Sequence, residues 1–128
     1  MKNILLINGI IETLGGFILI FSPHYLLSNA NPELQGIVIA KLFGITIFCF
    51  GLVSYILYKK FMYSTMYKQL VLLIIGFHFI IGLYMNGVFQ QSLTPHLGAA
   101  LMHISLAVIF VLIYLKNNHK FEDGQPVA

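Results

Sequence analysis

Long apolar runs alternate with short polar segments along the whole chain. Residues 4–21, 34–57, 70–89 and 97–115 consist mainly of Leu, Ile, Val, Phe and Gly, without the strict apolar–polar alternation of a half-buried strand. Each run is close to the roughly 20 residues that a helix needs to cross a hydrocarbon core about 30 Å thick. Backbone amides in lipid must be paired within their own segment or within a closed barrel, so these runs predict helices. The expected fold is all-α: an integral membrane four-helix bundle over residues 1–116, followed by a polar tail, 117–128. Gly124 and Pro126 predict that the tail is disordered or loosely held.

The connections between runs sort by charge. Residues 22–33 carry Pro23 and Pro32 but no lysine, and residues 86–96 form a second lysine-free turn, in which Thr94 and Pro95 read as an N-cap and first-turn pair. Lys2, Lys59, Lys60, Lys68, Lys116 and Lys120 all fall at the opposite ends of the runs. The positive-inside rule then places both termini and the middle loop in the cytoplasm of a multi-pass inner-membrane protein, with Tyr58, Tyr63, Tyr67 and Tyr114 as an aromatic belt on that side. Lys2, the first run and Ser28-Asn29-Ala30 share features with a cleavable secretory signal. That run exceeds the usual 7–15 residues of a signal core and is interrupted by Glu12, so retention of the first helix is expected.

Composition agrees with the pattern: 59% of residues are hydrophobic and 9% charged, outside the range of soluble domains. The formal net charge of +3 comes from lysines that flank the runs, so it reads as membrane topology, with no nucleic-acid partner. Cys49 is the single cysteine and lies inside an apolar run, where it is expected to pack as a small side chain.

Against this background the polar residues within the runs stand out. Glu12 sits near the middle of the first run, where a carboxylate costs about 2.5 kcal/mol or more unless it is paired, protonated or used. Counting 1.5 Å per residue from the lysine-free side puts Glu12 roughly 14 Å deep, Lys41 and His103 roughly 10 Å, and His78 roughly 17 Å. Helical spacing aligns Asn8, Glu12 and Gly15; Lys41, Gly44 and Phe48; His78, Gly82, Asn86 and Gln90; and His96, Ala100, His103 and Ala107. Polar and small residues on shared faces predict a pocket inside the bundle, lined by Glu12, Lys41, His78, His103 and Asn86. Gly15 with Gly16, Gly44 with Gly51, and Gly76 with Gly82 are expected to let helices approach closely.

Several chemistries fit these residue types. Glu12 and Lys41 could form a neutralising ion pair, Glu12 could accept protons or anchor a ligand, or Lys41 could snorkel outward and leave Glu12 protonated. His78 and His103 could hydrogen-bond to Glu12 or to a quinone oxygen. A haem held by both histidines is disfavoured, because their estimated depths differ by about a turn. Glu12, His78 and His103 are of the right ligand types for zinc, but the helices lack paired His-x-x-x-His or Glu-x-x-His spacing, so no metal site is expected. With no nucleophile–base set, phosphate loop or dinucleotide fingerprint, no catalytic residue is expected either.

Two segments, GGFILIFSPHYLL ending the first run and AKLFGITIFCFGL at residues 40–52, resemble small four-helix membrane proteins of the DoxX-like superfamily. The likeness lies in a Gly-rich helix followed by a Pro-containing turn, and in a basic residue followed by Phe-Gly and a second Gly. Lys41 occupies a position where arginine is expected, and lysine does not make the bidentate anion contact that arginine would. The resemblance implies a link to quinone or thiosulfate redox systems. The leading expectation is therefore a protein that binds a small hydrophobic ligand, a quinone or a lipid, as an accessory or redox-associated subunit. It would act beside a membrane-protein partner or a second copy of itself. Small multidrug transporters share the size and the first-helix glutamate, which makes proton-coupled transport through Glu12 the alternative; a structural membrane partner without a ligand is the third reading.

Overall fold

The computed structural model describes residues 1–27, 33–94 and 96–123. Four helices follow in order, α1 (Lys2–Phe21), α2 (Leu34–Lys59), α3 (Thr65–Gln90) and α4 (Leu97–Asp123), with a 3₁₀ turn at Pro23–Tyr25 after α1. Each is long and apolar enough to cross a membrane. Their outer surfaces expose large apolar side chains such as Ile39, Leu73, Ile80 and Leu112, as a lipid-facing perimeter requires. Ser28-Asn29-Ala30 and Pro95 lie outside the described residues.

α3 and α4 extend furthest beyond their apolar runs. α3 starts at Thr65 because Ser64 caps it, its Oγ accepting from the Tyr67 amide at 3.4 Å. Tyr67 Oη in turn donates to the Lys60 carbonyl at 2.6 Å, which ties the end of α2 to the start of α3. α4 continues to Asp123, so the expected loosely held tail is helical through that residue. Asn117 Oδ1 accepts from Tyr63 Oη at 3.3 Å, and Phe121 is buried edge-on against Tyr63 with ring centroids 5.0 Å apart. That contact supplies the apolar burial that the polar sequence 117–120 lacks. At the other end of the bundle α3 closes in a Schellman arrangement: Ser92 has φ 59°, and the Leu93 and Ser92 amides donate to the Val88 and Phe89 carbonyls. α4 begins at Leu97 rather than directly after Thr94, whose Oγ1 accepts from the His96 amide at 3.4 Å.

The helices pack as two antiparallel hairpins, α1 on α2 and α3 on α4. In the first, Gly9 faces Gly51 and Gly16 faces Gly44, two pairs seven residues apart on each helix. A Cβ at Gly16 would lie 2.6 Å from the Gly44 carbonyl oxygen, and one at Gly51 would lie 2.9 Å from the Gly9 carbonyl oxygen. The backbones therefore approach as closely as small-residue membrane interfaces allow. In the second hairpin Gly82 sits against Ile104 and Ala100. Gly15 and Gly76, expected at such contacts, face open space instead, and Cys49, expected to pack, is exposed.

Between the hairpins, at the end that carries both termini, Leu5, Leu57, Phe61, Tyr67, Val71, Phe110 and Phe121 belong to one buried cluster. Large side chains thus fill the terminal half of the bundle. The buried polar residues lie beyond them, with smaller apolar side chains such as Ala40, Ile47, Met85 and Ala100.

Candidate functional site

Three inward stripes converge just beyond this aromatic core. On α1 the buried residues include Leu5, Asn8, Glu12 and Gly16; on α3 they run Val71, Ile74, His78, Gly82 and Met85, the spacing of one helical face. On α4 Ala100, His103, Ala107 and Phe110 are buried. Gly82 lying against Ala100 and Ile104 sets the register of α3 on α4, and that register brings the two histidines together.

His78 Nδ1 and His103 Nδ1 are 2.9 Å apart. His78 Nε2 is 2.6 Å from Asn8 Oδ1, and Asn8 Nδ2 donates to Ser54 Oγ at 2.8 Å. This chain fixes a tautomer: the Asn8 oxygen can only accept, so His78 carries its proton on Nε2 and presents a bare Nδ1. His103 then donates from its own Nδ1 to His78. Glu12 Oε1 lies 3.6 Å from His78 Nδ1 and 3.7 Å from His103 Nδ1. Both separations are too long for hydrogen bonds, and among the described residues that oxygen has no partner although Glu12 is 1% exposed. Phe110 stacks on the His78 ring with centroids 5.9 Å apart and planes at 19°, closing the cluster on the side of the apolar core.

Of the residues expected to line the pocket, Glu12, His78 and His103 meet, and Lys41 and Asn86 do not join them. Lys41 is exposed on the outside of α2, so its ion pair with Glu12 does not form. The buried stripe of α2 is Ala40, Gly44, Ile47, Gly51, Ser54 and Leu57, fixed by the glycine contacts with α1, and Lys41 falls one residue off it. Asn86 is half-buried, makes no hydrogen bond among the described residues and lines neither of the two cavities beside the cluster. Despite the depth difference expected between them, the two histidine rings are in contact. Their centroids are 5.2 Å apart with planes tilted by 32°, which leaves no slot for a haem between the rings. Asn8 and Ser54 hold the cluster in place. Asn8 was readable as part of the Glu12 face; Ser54 was readable only through its spacing from Gly44 and Gly51.

On the side away from the termini, a cavity of about 290 Å³ opens above Glu12 and His103. Its wall is otherwise largely apolar, including Ile11, Ile18, Phe43, Met85 and Met102, and it also touches His96 and the Tyr25 that follows α1. A second, apolar cavity of about 390 Å³ shares Leu26, Phe43 and Met85 with the first. Their size and lining are those of small-molecule sites: an apolar volume with a few convergent polar groups at one point. No family model, no curated protein and no solved structure matches this chain.

Proposed function

We propose that this chain is a multi-pass protein of a bacterial-type inner membrane, with both termini in the cytoplasm, that binds a small, mainly apolar ligand such as a quinone or a lipid. The ligand's polar head meets Glu12 and His103, and its apolar body fills the two adjoining cavities. The protein serves as an accessory or redox-associated subunit, in keeping with the DoxX-like resemblance of residues 15–27 and 40–52. The observation that carries this reading is the buried pair Glu12 and His103 at the floor of a largely apolar cavity.

Native mass spectrometry of gently extracted protein tests it. The expected result is a reproducible added mass on the wild-type chain that Ala99→Phe removes, since Ala99 lines the cavity and a phenyl ring there occupies it. A wild-type chain that carries no added mass and takes up neither added quinone nor lipid overturns the reading.

The unpartnered Glu12 oxygen at the cavity floor also favours a second reading, proton-coupled transport of a small molecule. Under it, Glu12→Gln abolishes uptake in vesicles driven by a proton gradient. Under the binding reading that variant weakens ligand retention, and there is no uptake to lose.

A further inference from the structure

We propose that Glu12, His78 and His103 form a binding site for a divalent first-row transition metal ion, with an open coordination position facing the cavity. The argument starts from the spacing of the three donor atoms. Glu12 Oε1, His78 Nδ1 and His103 Nδ1 form a triangle with sides of 2.9, 3.6 and 3.7 Å. The point equidistant from its corners is about 2.0 Å from each, which is the bond length of Zn²⁺ to imidazole nitrogen and carboxylate oxygen, about 2.0–2.2 Å. These three residues gather although they come from three different helices and have no ligand spacing within any one of them.

The surroundings are those of a metal site. His78 donates its other ring nitrogen to a carbonyl oxygen, that of Asn8, which Ser54 holds in turn; such outer contacts orient a ligating imidazole and leave its second nitrogen bare. Glu12 Oε1, buried and without a hydrogen bond, is a donor atom awaiting a partner. The 2.9 Å contact between the two Nδ1 atoms holds one proton. On metal binding the His103 proton leaves Nδ1 and reappears on Nε2, so both imidazoles bind as neutral ligands and Glu12 as a carboxylate. Two imidazoles and one carboxylate with a vacant position suit Zn²⁺ and Fe²⁺ alike. The cavity provides the route of entry, because Glu12 and His103 both line it. The site does not depend on any organic ligand occupying that cavity.

The test is Co²⁺ titration of the full chain, purified without a histidine tag and stripped with chelator. Visible d–d absorption should saturate at one Co²⁺ per chain and be displaced by Zn²⁺. Glu12→Gln and His103→Gln should each abolish the band, and Asn8→Leu should weaken affinity by about 10- to 100-fold. A variant lacking His24, His96 and His119 should keep the band. X-ray absorption of the Zn²⁺-loaded wild type, which does not depend on any variant folding, should show two imidazoles and an oxygen at about 2.0 Å. No saturable band in the wild type overturns the proposal. So does a band that survives His103→Gln or is lost with the three outlying histidines, or a first shell with fewer than two imidazoles.

Discussion

The Asn8 amide is shared between two helices: its Nδ2 serves Ser54 on α2 and its Oδ1 serves His78 on α3. All three side chains are fully buried, so each removed partner leaves a polar group in an apolar setting. Ser54→Ala is therefore expected to lower stability by about 1 kcal/mol, within the range of hydrogen bonds between transmembrane helices. Reversible unfolding in mixed micelles would measure it, and an effect indistinguishable from zero would mean that the amide finds another partner. At this scale the sequence is readable where a residue contrasts with its surroundings. Asn8, Glu12, His78 and His103 are conspicuous in runs of Ile, Leu and Phe. Lys41 is equally conspicuous and misleading, since contrast reveals that a residue is unusual and not which way its helix is turned.

Helix rotation is set by the small residues. In α2 the alternation Gly44, Ile47, Gly51, Ser54 marks the face pressed onto α1, and it places Lys41 on the lipid side with Leu42 and Ile45. The heptad spacing of Gly9 with Gly16 and of Gly44 with Gly51 contained this information, but the runs also contain Gly15 and Gly76, where an added Cβ would meet only open space. Composition does not separate the two kinds. Substitution does. Gly16→Ala drives a methyl group into the Gly44 carbonyl and the Phe48 backbone, which cannot yield without parting α1 from α2, and should cost about 1–3 kcal/mol. Gly76→Ala has open space and a better helix former, and should be neutral or stabilising by up to about 1 kcal/mol. Thermal unfolding of both variants in one detergent checks the contrast; equal effects would mean that α1 and α2 do not pack through Gly16 and Gly44. The helix ends were less legible than the runs. α3 begins before its apolar stretch because Ser64 caps it, and α4 outlasts its own because Phe121 finds a pocket beside Tyr63, a contact between residues 58 apart that no local pattern announces.

Across the whole molecule the bundle is graded along its axis. Aromatic and aliphatic side chains fill the terminal end, the Asn8–His78–His103–Glu12 cluster forms a polar layer beyond them, and the cavities occupy the far end. A ligand or ion that reaches Glu12 thus enters and leaves by the end away from the termini, and Phe110, fully buried and stacked on His78, lies across the way to the other end. Which compartment supplies that ligand depends on orientation. The lysines at the terminal end, with Lys2 over the Tyr58 ring and Lys120 over the Tyr63 ring, argue that this end is cytoplasmic. In a Cys49→Ser background, His24→Cys should then react with a membrane-impermeant maleimide added to intact spheroplasts, and His119→Cys only after the membrane is opened. If labelling followed the reverse order, the cavity would face the cytoplasm, and a ligand or metal would have to come from the cell interior. With the expected order, the buried cluster draws on the extracytoplasmic side, and the packed aromatic end must part before anything bound at Glu12 could cross. That barrier weighs toward binding and against transport, because binding leaves the aromatic core intact and transport requires it to open in every cycle.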